Sequence, residues 1–345
     1  MNGGHAHAAR PALAGEGDAA SSGGSFLALS GGVGGAKLAL GLARALAIAG
    51  GASQLTIVAN TGDDFEHLGL SISPDLDSLM YTLAGVADPE RGWGRAGETW
   101  NFLAGLGELG NEAWFRLGDK DLAVHVLRSH RLAKGDSLSH VTASFCRALG
   151  VHARLVPMSD DPVRTIVLSS DGELPFQEYF VRRRCEPKVT GFRYEGAASA
   201  RPSAGLIEAL DDPNLKGVIF CPSNPFVSTG PILALPGVEA RLRELKVPVV
   251  AVSPIVGGDA VKGPLAKMMR ELGLGATAVE VARCYVARGL LDGFVLDTVD
   301  GHLVDDVSSL GPRAIAYQTV MRSLEDRVGL ARQVIDFTLA LGQEG

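Results

Sequence analysis

The chain lacks any C-x-x-C pair. Its four cysteines, Cys146, Cys185, Cys221 and Cys284, are scattered over 345 residues, so neither a zinc site nor a disulfide framework is indicated, and a reducing cytoplasm suits them. No apolar run reaches the roughly 20 residues of a membrane-spanning helix, and the first 24 residues lack the continuous apolar block of a secretion signal. Basic charge is not in excess: 32 Lys and Arg against 39 Asp and Glu leave a net charge of −7, which gives no electrostatic footprint for nucleic acid. No internal repeat is evident. Residues 1–24 are rich in Ala, Gly, Ser and His and read as a disordered tail, in which His5 and His7 offer only adventitious metal contacts.

What is present is a chain long enough to bury a large core, 46% hydrophobic and 21% charged, with β and α segments alternating along its length. This argues for one elaborated α/β unit or two closely merged ones. The most informative stretch is FLALSGGVGGAKLAL at residues 26–40. A short apolar run breaks at Gly31, Gly32, Gly34 and Gly35 and resumes with helix formers, predicting strand, glycine turn and helix start. Such a turn lets unpaired N–H groups and the positive helix end face a phosphate, with Lys37 one turn inside as a mobile charge. It is not a Walker loop, because Ala36 stands where glycine precedes the lysine. It is not G-x-G-x-x-G, because Lys37 takes the third glycine's place. A tight turn without ligand is the competing reading.

A second strand over 55–59 runs into Asn60-Thr61-Gly62-Asp63-Asp64, repeating the layout of the first loop. Ser73-Pro74-Asp75 opens a helix with apolar residues at 76, 79, 80 and 83. Helical periodicity continues over 98–109, 119–133 and 137–149, predicting a mainly helical insertion from about 75 to 150. Strands are expected at 154–157, 164–168 and 176–182, the last two as a hairpin through residues 169–172, with Arg182, Arg183 and Arg184 alternating faces. The α/β rhythm resumes with strands at 217–221, 249–253 and 294–297 and helices at 238–245, 264–272, 277–288 and 324–341.

Open α/β sheets bind ligands at the carboxyl ends of their strands, where this chain places GGVGG, NTGDD, PSNP (222–225) and SPI (253–255). Ser223 and Asn224, held between prolines, either hydrogen-bond a nucleobase or ribose edge or simply cap their own loop. Lys262, ahead of Gly263-Pro264, marks another anion-facing helix start or a solvated lysine. Asp63, Asp64, Asp75 and Asp77 supply hard oxygen ligands suited to Mg²⁺ on a diphosphate. Helix capping accounts for Asp75 but not for the others. Arg116 has the chemistry to grip a phosphate or carboxylate bidentately. His67 and His125 have no ligand-spaced partners and are read as structural. Trp93 and Trp100 are assigned to core packing in preference to stacking on a planar ligand.

Read in order, GGVGGAKL, NTGDD, SPDLDSLMYTLAG, RGWG, WFRLGDKDLA, PMSDDPV, FQEYFVRRR, CPSNPFVSTGPI and VSPIVGGDAVKGP resemble the 2-phospho-L-lactate transferase family of deazaflavin coenzyme F420 biosynthesis, from about residue 26 to the C-terminus. The resemblance implies an α/β fold, a Rossmann-like three-layer sheet with a mainly helical insertion. It implies transfer of a phospho-organic acid group (phospholactate, phosphoenolpyruvate or phosphoglycerate type) from a guanylyl diphospho-linked donor to the deazaflavin alcohol Fo, with release of GMP and with Mg²⁺. Carried over residue by residue, Asp77 and Arg116 contact Fo. Asp63 and Asp64 are the catalytic acids and, with Asp75, the metal ligands. Gly31, Gly32, Gly34, Gly35, Lys37, Ser223, Asn224, Ser253 and Lys262 hold the guanosine diphosphate portion. The expectation is completed by a cytoplasmic homodimer with no nucleic-acid or membrane partner. The competing classes are a nucleotide-sugar-binding regulator on a related fold and a dinucleotide-dependent oxidoreductase, which would need a loop that this sequence lacks.

Overall fold

The computed structural model describes residues 24–48, 55–110 and 114–344. Gly24 apart, the expected tail lies outside the described residues. Fourteen strands follow one another along these residues. They are β1 (Ser25–Ser30), β2 (Leu55–Ala59), β3 (Phe65–His67), β4 (Leu70–Ile72), β5 (Arg154–Pro157), β6 (Arg164–Ser169) and β7 (Gly172–Pro175). After them come β8 (Val189–Glu195), β9 (Leu215–Phe220), β10 (Val249–Val252), β11 (Ile255–Val256), β12 (Asp259–Ala260), β13 (Gly293–Asp297) and β14 (Arg313–Tyr317).

Seven of them form the central sheet in the order β14-β13-β10-β9-β1-β2-β5, every neighbouring pair parallel. Parallel strands are covered on both faces, and β1 shows how: Phe26 and Ala28 enter one hydrophobic cluster while Leu27 and Leu29 enter the other. Helix α1 (Gly32–Ile48) and the last helix, Leu324–Glu344, pack together on the first face. Helices Ala204–Leu210, Val238–Glu244 and Ala278–Val286 cover the second. The result is the expected three-layer Rossmann-like architecture. The chain builds from β1 outward through β2 to β5, then crosses to β9 on the other side of β1. That reversal is the topological switch point where such sheets open a ligand crevice, and GGVGG and PSNP lie at its two lips.

The insertion between β2 and β5 holds the β3–β4 hairpin and four helices, α2 (Pro74–Ala84), α3 (Asn101–Glu108), α4 (Asp119–Ala133) and α5 (Leu138–Ala148). Helices α3 and α4 are tied by their starts: Asp119 accepts the N–H groups of Asn101 and Phe102, and Glu98 accepts those of Lys120 and Asp121. Each carboxylate thus satisfies orphan donors at a positive helix end.

The expected strand over 176–182 is corrected. The β6 hairpin closes through residues 169–172 onto the four-residue β7, after which Glu178–Arg182 winds into a π-helical turn. The physical reason is aromatic: Phe176 and Phe180, four residues apart, stack with ring centroids 5.3 Å apart and planes 8° from parallel. Tyr179 is meanwhile buried with Phe176 in a small core that includes Met268. Arg182, Arg183 and Arg184 therefore do not alternate on a strand, and Arg184 has a left-handed φ of 49°. Trp93 and Trp100 are also corrected. Neither joins the core, and Trp93 is 38% exposed. Among the described residues no helix is long and apolar enough to cross a membrane.

Candidate active site

A cavity of about 690 Å³ opens over the switch point. It is lined by Gly31, Gly32, Gly34, Lys37, Asp63, Asp75, Asp77, Arg116, Ser223, Asn224, Ser253 and Lys262. Of the expected site residues, Gly35 and Asp64 stand behind this wall and not on it.

The glycine turn is locked to its neighbours on both sides. Ser223 Oγ donates to the Gly31 carbonyl at 2.9 Å and accepts from the Gly31 N–H at 3.2 Å, so the Ser223 side chain joins the two lips of the crevice. Gly32 begins α1 with φ +68°, a conformation that L side chains resist, and its N–H donates to Asp75 Oδ1 at 2.7 Å. A methyl group at Gly34 would sit 2.7 Å from the Pro222 carbonyl oxygen, and one at Gly35 would sit 2.5 Å from Ser30 Oγ. These glycines thus permit close packing of the start of α1 against the PSNP loop and the end of β1 as well as an open anion site. Lys37 Nζ donates to the Met321 carbonyl at 3.0 Å. Burial, with the charges of Arg327 and Lys262 nearby, lowers its pKa.

The PSNP and SPI loops largely organise themselves. Asn224 Oδ1 accepts the Phe226 N–H at 2.9 Å, leaving its amide nitrogen with only Met268 Sδ at 3.5 Å. Ser253 Oγ donates to the Ile255 carbonyl and accepts from the Ile255 N–H. Donor capacity toward a ligand therefore resides in the Asn224 amide group.

The acids divide into two groups. In the first, Asp75 does not cap its helix. Its oxygens take the Gly32 N–H and, at 2.9 Å, Asn60 Nδ2, so it bridges the two strand-end loops; the capping expectation for Asp75 is overturned. Asp63 lines the cavity, and Asp64 accepts from Ser73 Oγ at 2.7 Å. Asp63 Oδ1 and Asp64 Oδ1 are buried without a partner. Burial, with the charge of Asp75 next in importance, pushes the Asp63 carboxyl well above its usual range. Burial lifts Asp64 to about 7 against the Ser73 hydrogen bond. Burial likewise raises Asp75. The unpartnered oxygens of Asp63 and Asp64 are hard donors of the kind that a divalent cation such as Mg²⁺ takes, but both Asp75 oxygens are already hydrogen-bonded, and among the described residues these three carboxylates do not bring one oxygen each within 4.8 Å of one another.

The second group lies on α2 and α4. Asp77 is paired bidentately with the fully buried Arg128, Oδ2 at 3.0 Å from Nη1 and Oδ1 with Nη2. Arg128 Nη1 also meets His125 Nδ1 at 3.2 Å. A guanidinium only donates, so Nδ1 accepts and the ring proton sits on Nε2. That Nε2 faces Asp121 Oδ1 at 3.2 Å, close enough for attraction though poorly aligned for a hydrogen bond, while Tyr81 Oη donates to the same oxygen at 2.6 Å. Burial opposes the Asp121 charge, but attraction from His125, the Tyr81 hydrogen bond and the Arg128 charge prevail and hold its pKa below the usual range. Among the described residues, Asp77, Asp121 and His125 bring one ligand atom each within 4.8 Å of one another. The reading of His125 as partnerless is thus corrected. The guanidinium of Arg128 already supplies the positive charge that a cation would bring to this cluster.

Above this network runs a ladder of guanidinium and indole groups. Arg91 lies 5.4 Å from the Trp93 ring and 5.1 Å from that of Trp100, and Arg116 lies 4.6 Å from Trp100. Arg128, Asp121, Tyr81 and Arg91 are the members of this wall that sequence reasoning missed. The i, i+4 spacing of Asp121 and His125 on one helix was the available signal.

A family model described as 2-phospho-L-lactate transferase CofD matches residues 26–320. A phosphoenolpyruvate transferase of Streptomyces griseus subsp. griseus is 41% identical over 316 residues, 90% of this chain and 97% of that protein. A phosphoenolpyruvate transferase of Mycolicibacterium smegmatis is 39% identical over 323 residues, covering 89% and 97%. Among solved structures, a UPF0052-family protein of Bacillus halodurans aligns over 90% of this chain and 98% of its own with a TM-score of 0.57 and 13% identity, a likeness of fold alone.

Proposed function

Because the chain belongs to the 2-phospho-L-lactate transferase CofD family, transferases of coenzyme F420 biosynthesis, we propose that it moves a phosphoenolpyruvyl group from a guanylyl diphospho-linked donor to Fo. In the proposed step the terminal ribityl hydroxyl oxygen of Fo attacks the phosphorus that bears the enolpyruvate. A P–O bond forms there, the bond from that phosphorus to the GMP oxygen breaks, GMP leaves with the electron pair, and the hydroxyl proton is lost. The enolpyruvyl form of the donor is favoured by the relatives, which carry that name at about two-fifths identity over nearly their whole length.

The observation that carries the reading is the meeting of the glycine turn with Asp63 and Asp75 on one cavity wall, fixed by the 2.7 Å bond from the Gly32 N–H to Asp75. The Gly31 and Gly32 N–H groups being taken by Ser223 and Asp75, the diphosphate is received at the N-terminus of α1 by the N–H groups that follow them, with Lys37 and Lys262 close by. The Asn224 amide group donates to the base or ribose. Asp63, with Asp64 behind it, would hold Mg²⁺, which when bound neutralises the diphosphate. Arg116 and Asp77 belong to the acceptor half, Asp77 acting from within its pair with Arg128. No covalent nucleophile is assigned, since alignment and charge neutralisation suffice for phosphoryl transfer of this kind.

The test is incubation of the purified protein with Fo, Mg²⁺ and, separately, the enolpyruvyl, lactyl and glyceryl guanylyl donors, reading GMP. Fastest release from the enolpyruvyl donor is expected. Faster release from another donor would overturn the choice of acid, and nucleotide binding without GMP from any donor would favour a regulatory binding protein.

A further inference from the structure

The wall formed by α2 and α4 presents two buried carboxylates to the cavity, and they differ in what remains free. Both oxygens of Asp77 are taken by Arg128. Asp121 is held at one oxygen only: Oδ1 takes the Tyr81 hydroxyl at 2.6 Å and faces His125 Nε2 at 3.2 Å. Its backbone is fixed as well, the N–H donating to Glu98 Oε1 at 2.9 Å. Oδ2 has no partner among the described residues and points toward Gly94, 4.0 Å from where a methyl group on that glycine would lie. Gly94 carries no side chain to cover it, and both residues line the cavity. The Asp121 side chain is 11% exposed, and Oδ2 is not among the sealed oxygens without a partner, so it stands open to the cavity as an acceptor that a ligand N–H can reach, with the charge of the carboxylate strengthening that bond. Next to Gly94, Trp93 offers the same cavity an aromatic surface for a flat ring.

We propose that Asp121 selects the acceptor, its Oδ2 accepting the imide N–H of a flat heterocycle, with Tyr81 and His125 as positioning residues that fix the carboxylate. The inference rests on the transferase reading above and adds to it the group by which the deazaflavin ring is recognised. Asp77, by contrast, holds Arg128, and Arg128 fixes the tautomer of His125.

The test compares Fo with its N3-methylated analogue on the wild-type protein and on Asp121→Asn, reading affinity by ligand fluorescence. An asparagine keeps an oxygen for Tyr81 and His125 but turns an N–H₂ donor toward the cavity. Fo affinity is expected to fall at least about tenfold in Asp121→Asn, the size of one lost charge-assisted hydrogen bond, with GDP affinity unchanged. The methyl group is expected to weaken binding at least about tenfold on wild type and less than about threefold on the variant, since the two changes remove the same contact. An equal methyl penalty on both proteins, or wild-type Fo affinity in the variant, would overturn the proposal. Should the variant misfold, indifference of the wild type to the methyl group would overturn it alone. A wild-type protein that binds GDP but neither binds nor converts Fo would instead sink the transferase reading.

Discussion

Replacing Arg128 by methionine keeps most of the buried stem and removes the guanidinium, which makes it the sharpest probe of how the acceptor wall is held together. Arg128 has no exposed surface. Its guanidinium binds both oxygens of Asp77, the Ser71 carbonyl at 3.3 Å and His125 Nδ1 at 3.2 Å. Without it, the Asp77 charge stays buried with His125 Nδ1 at 3.7 Å as its nearest basic atom. Breaking a buried pair from one side costs about 3–5 kcal/mol. That is a large share of the 5–15 kcal/mol that typically separates a folded domain from its unfolded chain (~10 kcal/mol as a midpoint). Equilibrium urea unfolding of Arg128→Met should show a loss of that order. Asp77→Asn combined with Arg128→Met should be less damaged than the sum of the two single changes by at least about 2 kcal/mol, because the partners share one interaction. A loss below about 1 kcal/mol in Arg128→Met, with additive behaviour in the double variant, would refute the claim that this pair organises the wall.

The donor half yields further outcomes. Gly34→Ala drives a methyl group against the Pro222 carbonyl, so GDP affinity measured by calorimetry should fall at least about tenfold; unchanged affinity would mean that the two loops need not pack as described. GDP should bind at least about tenfold more tightly than ADP, through hydrogen bonds of which the Asn224 amide supplies one, and equal affinities would remove guanine selectivity. Asp63→Asn should lower turnover far more than it weakens Fo binding, because charge neutralisation matters most as the transition state forms; an unchanged rate would remove Asp63 from the mechanism. The acids also set a pH dependence. Asp64 rises from 3.8 when unfolded to about 7 when folded, so the native state holds that proton more tightly; this stability is fully present below about pH 4 and is lost as pH rises through about 7. Asp63 and Asp75 shift in the same direction. In EDTA-treated protein, Mg²⁺ should therefore raise the melting temperature more at pH 8 than at pH 5, and an equal rise at both would argue against a cation on these carboxylates.

The parts of the fold that were legible in the sequence are those written in short-range patterns. β2 at 55–59, α4 at 119–133 and β5 at 154–157 fall where their apolar spacing and flanking turn residues put them. GGVGG between an apolar run and helix formers located the switch-point turn, although Gly35 works behind the wall. The misreading at 176–182 arose because mixed apolar and polar residues fit a strand on paper, while the stacking of Phe176 on Phe180 and burial of Tyr179 decide for a helical turn. Asp77 and Arg128 are 51 residues apart, and nothing local announces that they meet. The roles of Asp75 and Ser223 are equally non-local: each has a sufficient local explanation, a helix start and a loop, and only tertiary contact shows them bridging separate strand ends.

The most direct test of the central claim is the stoichiometry of GMP release from the enolpyruvyl guanylyl donor with and without Fo, in Mg²⁺, with the Fo phosphodiester quantified in parallel. One GMP per phosphodiester formed is expected, with negligible GMP when Fo is omitted. GMP released at the same rate without Fo would make the protein a hydrolase, and donor bound with no GMP under either condition would contradict phosphoryl transfer altogether.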